Sequence, residues 1–226
     1  MRNTEPASAA RRAQGEESRE RLIAAAIETM SERGYVAASV GDICDRAGVA
    51  KTALYGHFAS KEGLLAAVIE RVGASWIEEL QKRVYLVGEP MSRIDSFVDA
   101  WRDILETHPH IIRLPLVVQL GIGENSASIR NALGEVMRRA RDAVVQGIED
   151  SLGHGLRDLD MVAETLLTLL RGALLHRVVN PDDEQGRDRV FQELRRTIIV
   201  VLWDRLPADS KHLIPIGSPE HDRATH

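Results

Sequence analysis

Apolar residues recur along this chain at spacings of three and four and almost nowhere in alternation. Leu22, Ile23, Ala26, Ile27 and Met30 form one such stripe, which predicts a helix from about Ser18 to Arg33, stopped at Gly34. Val40, Ile43 and Ala47 mark a short helix that starts at Ser39, where Ser39 and Asp42 spell a capping box. Gly48 supplies the left-handed turn that ends it. A second short helix, about Lys51 to Phe58, keeps Leu54 and Phe58 four apart. Ser60 caps a long amphipathic helix from Lys61 to about Val84, with Glu62 in its first turn. Further helices are predicted over Ser92 to Thr107, Ile111 to Leu120 with a bend near Pro115, Ile129 to Leu152, Leu159 to Val179 and Arg187 to Leu206. His108-Pro109-His110 marks a turn, and Asn180-Pro181-Asp182-Asp183 separates the last two helices. With no strand pattern and no solenoid repeat, the fold class is all-α.

Two short helices joined by a glycine turn are the helix-turn-helix signature, whose second helix enters the DNA major groove. Lys51, Thr52 and Ala53 open that helix and are the candidates for base contact. Lys donates to guanine, Thr bonds either way, and an Ala methyl meets a thymine methyl. Ser39, Tyr55, His57 and Lys61 are the candidates for phosphate contact, which positions a protein without reading sequence. Ser39 and Tyr55 also fit a purely structural reading, as cap and packing residue.

The run Gly34-Tyr35, Val40-Gly41-Asp42-Ile43, Ala47-Gly48-Val49 and Leu54-Tyr55-Gly56-His57-Phe58-Ala59-Ser60-Lys61-Glu62-Gly63-Leu64-Leu65 resembles the DNA-binding domain of the TetR (tetracycline-repressor) family. The resemblance covers about a quarter of the chain. It implies a transcriptional regulator, usually a ligand-responsive repressor, that binds palindromic operator DNA as a homodimer. The implied layout is a disordered tail over 1–17, a helix-turn-helix domain over 18–65, a ligand-binding and dimerisation domain over 66–206 and a flexible tail over 207–226. Ala50 and Ala53 stand where the family often has hydroxyl residues, and Thr52 where it often has Gly, so the operator sequence does not carry over.

Hydrophobic content of 44% supplies a real core, and a net charge of −5 argues against a general nucleic-acid coat protein. Between Gly34 and Lys61 the basic residues Arg46, Lys51 and Lys61 face the acids Asp42 and Asp45, so charge alone does not identify a DNA reader. The lone Cys44 excludes an internal disulfide and reads as a buried apolar residue. No run reaches the length of a membrane span and no signal core is present, so a cytoplasmic protein is expected. The sequence contains no phosphate loop, no G-x-S-x-G and no H-E-x-x-H, so neither an enzyme nor a cofactor is expected. His108-x-His110 flanks a proline and lacks a third ligand, so no metal is expected either.

The last two helices are more apolar than one buried stripe requires. They are expected to pair with their counterparts in a second copy, with Leu166 and Ile198 in the interface. A small, lipophilic effector is expected among the middle helices, near Trp101, His110, Leu114, Gln119, Met137, Arg141 and His176. The competing class is a DNA-binding adaptor or nucleoid-type protein that senses nothing. The long apolar region from Ser92 to Leu206 exceeds what dimerisation alone requires and weighs against it.

Overall fold

The computed structural model describes residues 5–84, 89–107, 127–153 and 155–214. Among them the chain is all-α: α1 Glu5–Ala37, α2 Val40–Ala47, α3 Lys51–Phe58, α4 Lys61–Val84, α5 Pro90–Thr107, α6 Ala127–Leu152, α7 Leu159–Val179, α8 Glu184–Arg205 and a closing 3-10 helix, Ala208–Leu213. The helical residues fall into two compact units. The first holds α1, α2, α3, α4 as far as Ala74 and the start of α6 as far as Val136. The second holds the rest of α4 and α6 together with α5, α7 and α8.

In the first unit α1 packs against α2 and α3. Leu22, Ile23, Ala26, Ile43, Leu54, Leu64, Leu65 and Val68 are fully buried between these helices and α4. The break at Gly34 is real: its φ of 77° and ψ of 161° interrupt α1 before the chain turns into α2. Gly73 is needed for close packing, because a Cβ there would stand 2.6 Å from both methyls of Val136. Residues 5–17, expected as a disordered tail, continue α1 toward its N-terminus. The helix-favouring run Ala7-Ser8-Ala9-Ala10-Arg11-Arg12-Ala13-Gln14 explains the extension.

In the second unit α7 and α8 pack on each other and both touch α5. Trp76 of α4 meets Trp101 of α5 edge-on, with ring centroids 5.1 Å apart. Arg195 of α8 forms a bidentate ion pair with Asp95 of α5. Leu166 and Ile198, expected in a subunit interface, are each only 2% exposed in a single chain and belong to its core. Helical periodicity marked the apolar faces correctly but did not distinguish the inner face from the outer one. Start and stop signals moved several boundaries. Pro90 starts α5 two residues before Ser92, as its fixed φ favours at a first helical position. Asp183 caps α8 by accepting from the Gly186 N–H, so that helix begins at Glu184. The stretch after Pro207 adds a 3-10 helix and buries Ile214 where a loose tail was expected. The helix predicted over Ile111 to Leu120 lies outside the described residues.

Candidate nucleic-acid interface and helix-lined cavities

The helix-turn-helix is built by local contacts. The Ser39 hydroxyl accepts from the Asp42 N–H at 3.0 Å, and the Asp42 carboxylate takes the Ser39 N–H at 3.2 Å, closing the capping box. The Ser39 hydroxyl also donates to that carboxylate at 2.7 Å. These bonds, side-chain first, hold the Asp42 carboxyl below the ordinary aspartate value, and Arg33 adds to the effect. Gly48 ends α2 in the left-handed conformation, φ 62° and ψ 37°. Ala50 then caps α3 with an extended backbone but no side-chain acceptor, so the donors of the first turn lack a side-chain partner.

The end of α3 is equally specific. Ala59 has a φ of 61°, a conformation that favours glycine, and the Ser60 N–H donates back to the Phe58 carbonyl at 2.7 Å. The Ser60 hydroxyl accepts from the Gly63 N–H at 3.1 Å and caps α4. Gly63 lies so close beneath this turn that a Cβ would stand 2.0 Å from the Phe58 carbonyl oxygen. The Gly-Leu-Leu of the motif is therefore a packing requirement, and it sets the direction in which α4 leaves the recognition helix.

Lys51 and Thr52 are exposed at the start of α3, and Ala53 is half-buried. Lys51 extends over Gly41, with its Nζ 3.4 Å from where a Cβ would be, and has no carboxylate partner among the described residues. Tyr55 is 52% exposed, although large and aromatic. His57 is exposed and its Nε2 lies 3.1 Å from the Ser18 hydroxyl of α1. Lys61 is less free. Its ammonium sits 4.4 Å from the Tyr35 ring centroid and donates to the Val36 carbonyl at 3.4 Å, and partial burial pushes its pKa down. Burial, with the Glu62 carboxylate nearby, pushes the Tyr35 hydroxyl up to about 12. Arg46 is paired at the surface with Glu32 at 2.7 Å, whereas Lys51 has no carboxylate partner among the described residues. Cys44 is buried and its thiol is shifted up by desolvation, as the packing reading requires.

The second unit holds an apolar cavity of about 640 Å³, part of it open to solvent. Its lining comes from five helices: Gln81 of α4, Arg93, Ile94 and Phe97 of α5, Val144 and Ile148 of α6, Leu166 of α7, and Ile198 and Leu202 of α8. Arg93 at the wall donates to the Asp150 carbonyl at 2.9 Å and the Ser151 hydroxyl at 3.1 Å. Of the effector candidates named from sequence, none among the described residues lines this space. Trp101 packs edge-on against Trp76, Arg141 pairs with Asp160 at 3.5 Å, and Met137 lies 3.9 Å from an Arg171 nitrogen. His176 lines a different, polar cavity. His110, Leu114 and Gln119, like the His108-x-His110 pair, lie outside the described residues. The lining residues were missed because each reads as ordinary core; the signal that marks them is their convergence in space. Among the described residues no group of His, Cys, Asp or Glu is placed to hold a metal ion, and no helix is long and apolar enough to cross a membrane.

The description "Bacterial regulatory proteins, tetR family" matches residues 22–68, the span from the α1 stripe to the first turns of α4. The HTH-type transcriptional activator FasR of Mycolicibacterium smegmatis is 36% identical over 91 residues, covering 40% of this chain and 42% of that protein. The chain spans less than half the length of the curated relatives that match it at 33% and 36% identity. Its fold is that of a solved transcriptional regulator from Rhodococcus sp. Rha1, with a TM-score of 0.67 at 20% identity over 84% of this chain and 99% of that one. It is also that of FadR from Bacillus subtilis, solved in complex with stearoyl-CoA, with a TM-score of 0.58 at 19% identity over 77% and 96% of the two chains. A helix-turn-helix capped and closed in this way, over the residues that the family description matches, is a DNA-binding domain of the TetR type at the start of an all-helical chain.

Proposed function

We propose that the protein is a ligand-responsive repressor that binds a near-palindromic operator as a homodimer. The observation that carries the reading is the recognition helix, which presents Lys51, Thr52 and Tyr55 outward from a fully buried Leu54. In this reading Lys51, Thr52 and Ala53 meet base edges, and Ser39, Tyr55, His57 and Lys61 meet phosphate. Ser39, His57 and Lys61 contribute partly through groups already bonded within the domain, so Tyr55 carries more of the phosphate contact. Dimerisation through the last two helices is supported by the apolar side chains they leave exposed: Met161, Leu175 and Val179 on α7 and Val200 on α8. Gly172 lies on the same face of α7 as Leu175 and has no side chain to hold a partner helix away.

The apolar cavity is the effector site in this proposal. Its shape and lining suit a hydrophobic chain, and the acyl-CoA held by the FadR structure makes an acyl compound the first class to try. Gln81 lines the cavity from α4, the helix whose first turn packs Gly63 against the Phe58 carbonyl at the end of α3. An effector that binds one position of α4 more tightly than the DNA-competent position shifts the equilibrium away from DNA, and operator then weakens effector binding by the same factor.

The test is anisotropy of labelled operator taken from the DNA beside the protein's own gene, with scrambled DNA as the reference and stearoyl-CoA as the first effector. Specific binding that weakens steeply with salt is expected, and Lys51→Ala or Thr52→Ala changes sequence preference where Tyr55→Phe weakens all sequences alike. Equal affinity for operator and scrambled DNA at every salt concentration defeats the DNA reading. Effector affinity unchanged by saturating operator defeats the coupling.

A further inference from the structure

A second cavity, about 680 Å³ with the part that is open to solvent, lies within the second unit between α5, α7 and α8, and it shares no residue with the apolar one. Its lining is charged: Arg102 and Glu106 from α5, His176 and Arg177 from α7, and Arg187 and Asp188 from α8, with Glu184 beside them. Two nitrogens in this lining, Arg102 Nε and His176 Nδ1, are buried and have no hydrogen-bond partner. A buried polar nitrogen without a partner costs about 1–3 kcal/mol, so the two in one cavity point to a group that accepts from Arg102 Nε and from the Nδ1–H form of His176.

We propose that this cavity is a binding site for a small oxyanion, a carboxylate or a phosphate, held by Arg102, His176 and Arg187. The acids and bases of the lining are similar in number but differ in burial. The Arg187 side chain is 18% exposed, whereas its partner Glu184, 3.6 Å away, is 86% exposed. Glu106 and Asp188 are exposed as well, so water screens the carboxylates more than the guanidinium groups inside. Arg177 is committed to the Pro181 carbonyl at 2.7 Å and closes one side. Arg102 is held in plane, with its guanidinium carbon 5.2 Å from the Phe191 ring centroid and its outer nitrogen 3.6 Å from Asp99. That geometry leaves Nε as the donor turned inward. Three cationic or donor groups from three helices thus converge on one space, and the apolar Ala173, Val190 and Phe191 leave room for a short carbon body.

The site shares no residue with the apolar cavity or the helix-turn-helix, so its test uses the full-length protein without DNA. Isothermal titration is run with sodium phosphate and, separately, with sodium succinate. Saturable binding of at least one is expected; phosphate alone assigns a phosphate-bearing ligand and succinate alone a carboxylate. Arg187→Gln should weaken that binding by about tenfold or more, the usual loss for a charge-assisted hydrogen bond. Glu184→Gln should tighten it, because the carboxylate that competes for Arg187 is removed. Opposite signs in two neighbouring variants, both with unchanged helical content by circular dichroism, cannot arise from misfolding. No saturable binding of either ion up to about 10 mM, or an affinity that Arg187→Gln leaves unchanged, overturns the site.

Discussion

The helix-turn-helix end of the molecule and its cavity-bearing second unit hold their candidate functional residues by different means. In the helix-turn-helix nearly every special position is set by a neighbour within five residues. Ser39 is tied to Asp42, Gly48 to the end of α2, Ser60 to Gly63, and Gly63 to the Phe58 carbonyl. In the second unit, one cavity draws on residues from Gln81 to Leu202, and the other on residues from Arg102 to Phe191. A locally determined site can be damaged by one substitution while the rest of the chain stays folded. A site assembled from five helices changes whenever the packing of the unit changes.

The largest effect should come from separating the inner and outer faces of α7. Leu166→Ala removes a core side chain that also lines the apolar cavity, and should cost about 2–5 kcal/mol in urea unfolding while leaving the proposed dimer intact. Leu175→Asp with Val200→Asp, on the outer face, should instead yield a folded monomer by light scattering and lose operator binding. A monomer from Leu166→Ala, or an intact dimer from the outer pair, would reverse the assignment of faces.

Gly63→Ala tests the local end. A Cβ pressed against a backbone carbonyl cannot be relieved by a rotamer change, so overpacking should cost about 3 kcal/mol and abolish operator binding. Wild-type melting and operator affinity in this variant would show that the turn at Ala59 is more yielding than its geometry implies.

Ala50→Ser should act in the opposite direction. The backbone at Ala50 already has the extended conformation of an N-cap, with φ −67° and ψ 145°, so the added hydroxyl can take an unpaired donor of α3. A gain of about 1 kcal/mol in thermal unfolding is expected, and the same result is not expected from serine at a mid-helix position. A loss of stability would mean that the hydroxyl finds no donor within reach.

The smallest effect concerns acid. Glu62 lies below its ordinary value of 4.5 because its own backbone N–H, then the Ser60 hydroxyl, then the Tyr35 hydroxyl and Lys61 favour the carboxylate. A depressed folded-state value means stability that is present above the unfolded value and lost as pH falls through the folded one. Glu62→Gln should therefore lower the melting temperature slightly at neutral pH, and its difference from wild type should shrink as pH falls below about 4.5, flattening the decline. A decline identical to wild type would remove Glu62 from the acid response.

What could be read in advance follows from the range of each interaction. The capping box at Ser39, the left-handed Gly48, the Ser60 cap and the bounds of α2, α3, α4 and α7 depend on residues within a turn or two of one another, and the chain alone determined them. The presence of an apolar region was legible as well, but its inner and outer faces were not. Leu166 and Leu175 have the same chemistry and sit on the same helix, and only the packing of α5 and α8 decides which is core. The cavity linings were invisible for a related reason. Trp101 stood out as a large aromatic on an apolar stripe, yet it is occupied by Trp76. Ile94, Ile148 and Leu202, ordinary in sequence, meet around empty space. Arg102 Nε and His176 Nδ1, 74 residues apart in the chain, became conspicuous only when α5 met α7 and α8 and both were left without a partner. Local hydrogen bonds and backbone conformation are written residue by residue. A void is a property of the surfaces that fail to meet, and only the tertiary structure decides where that occurs.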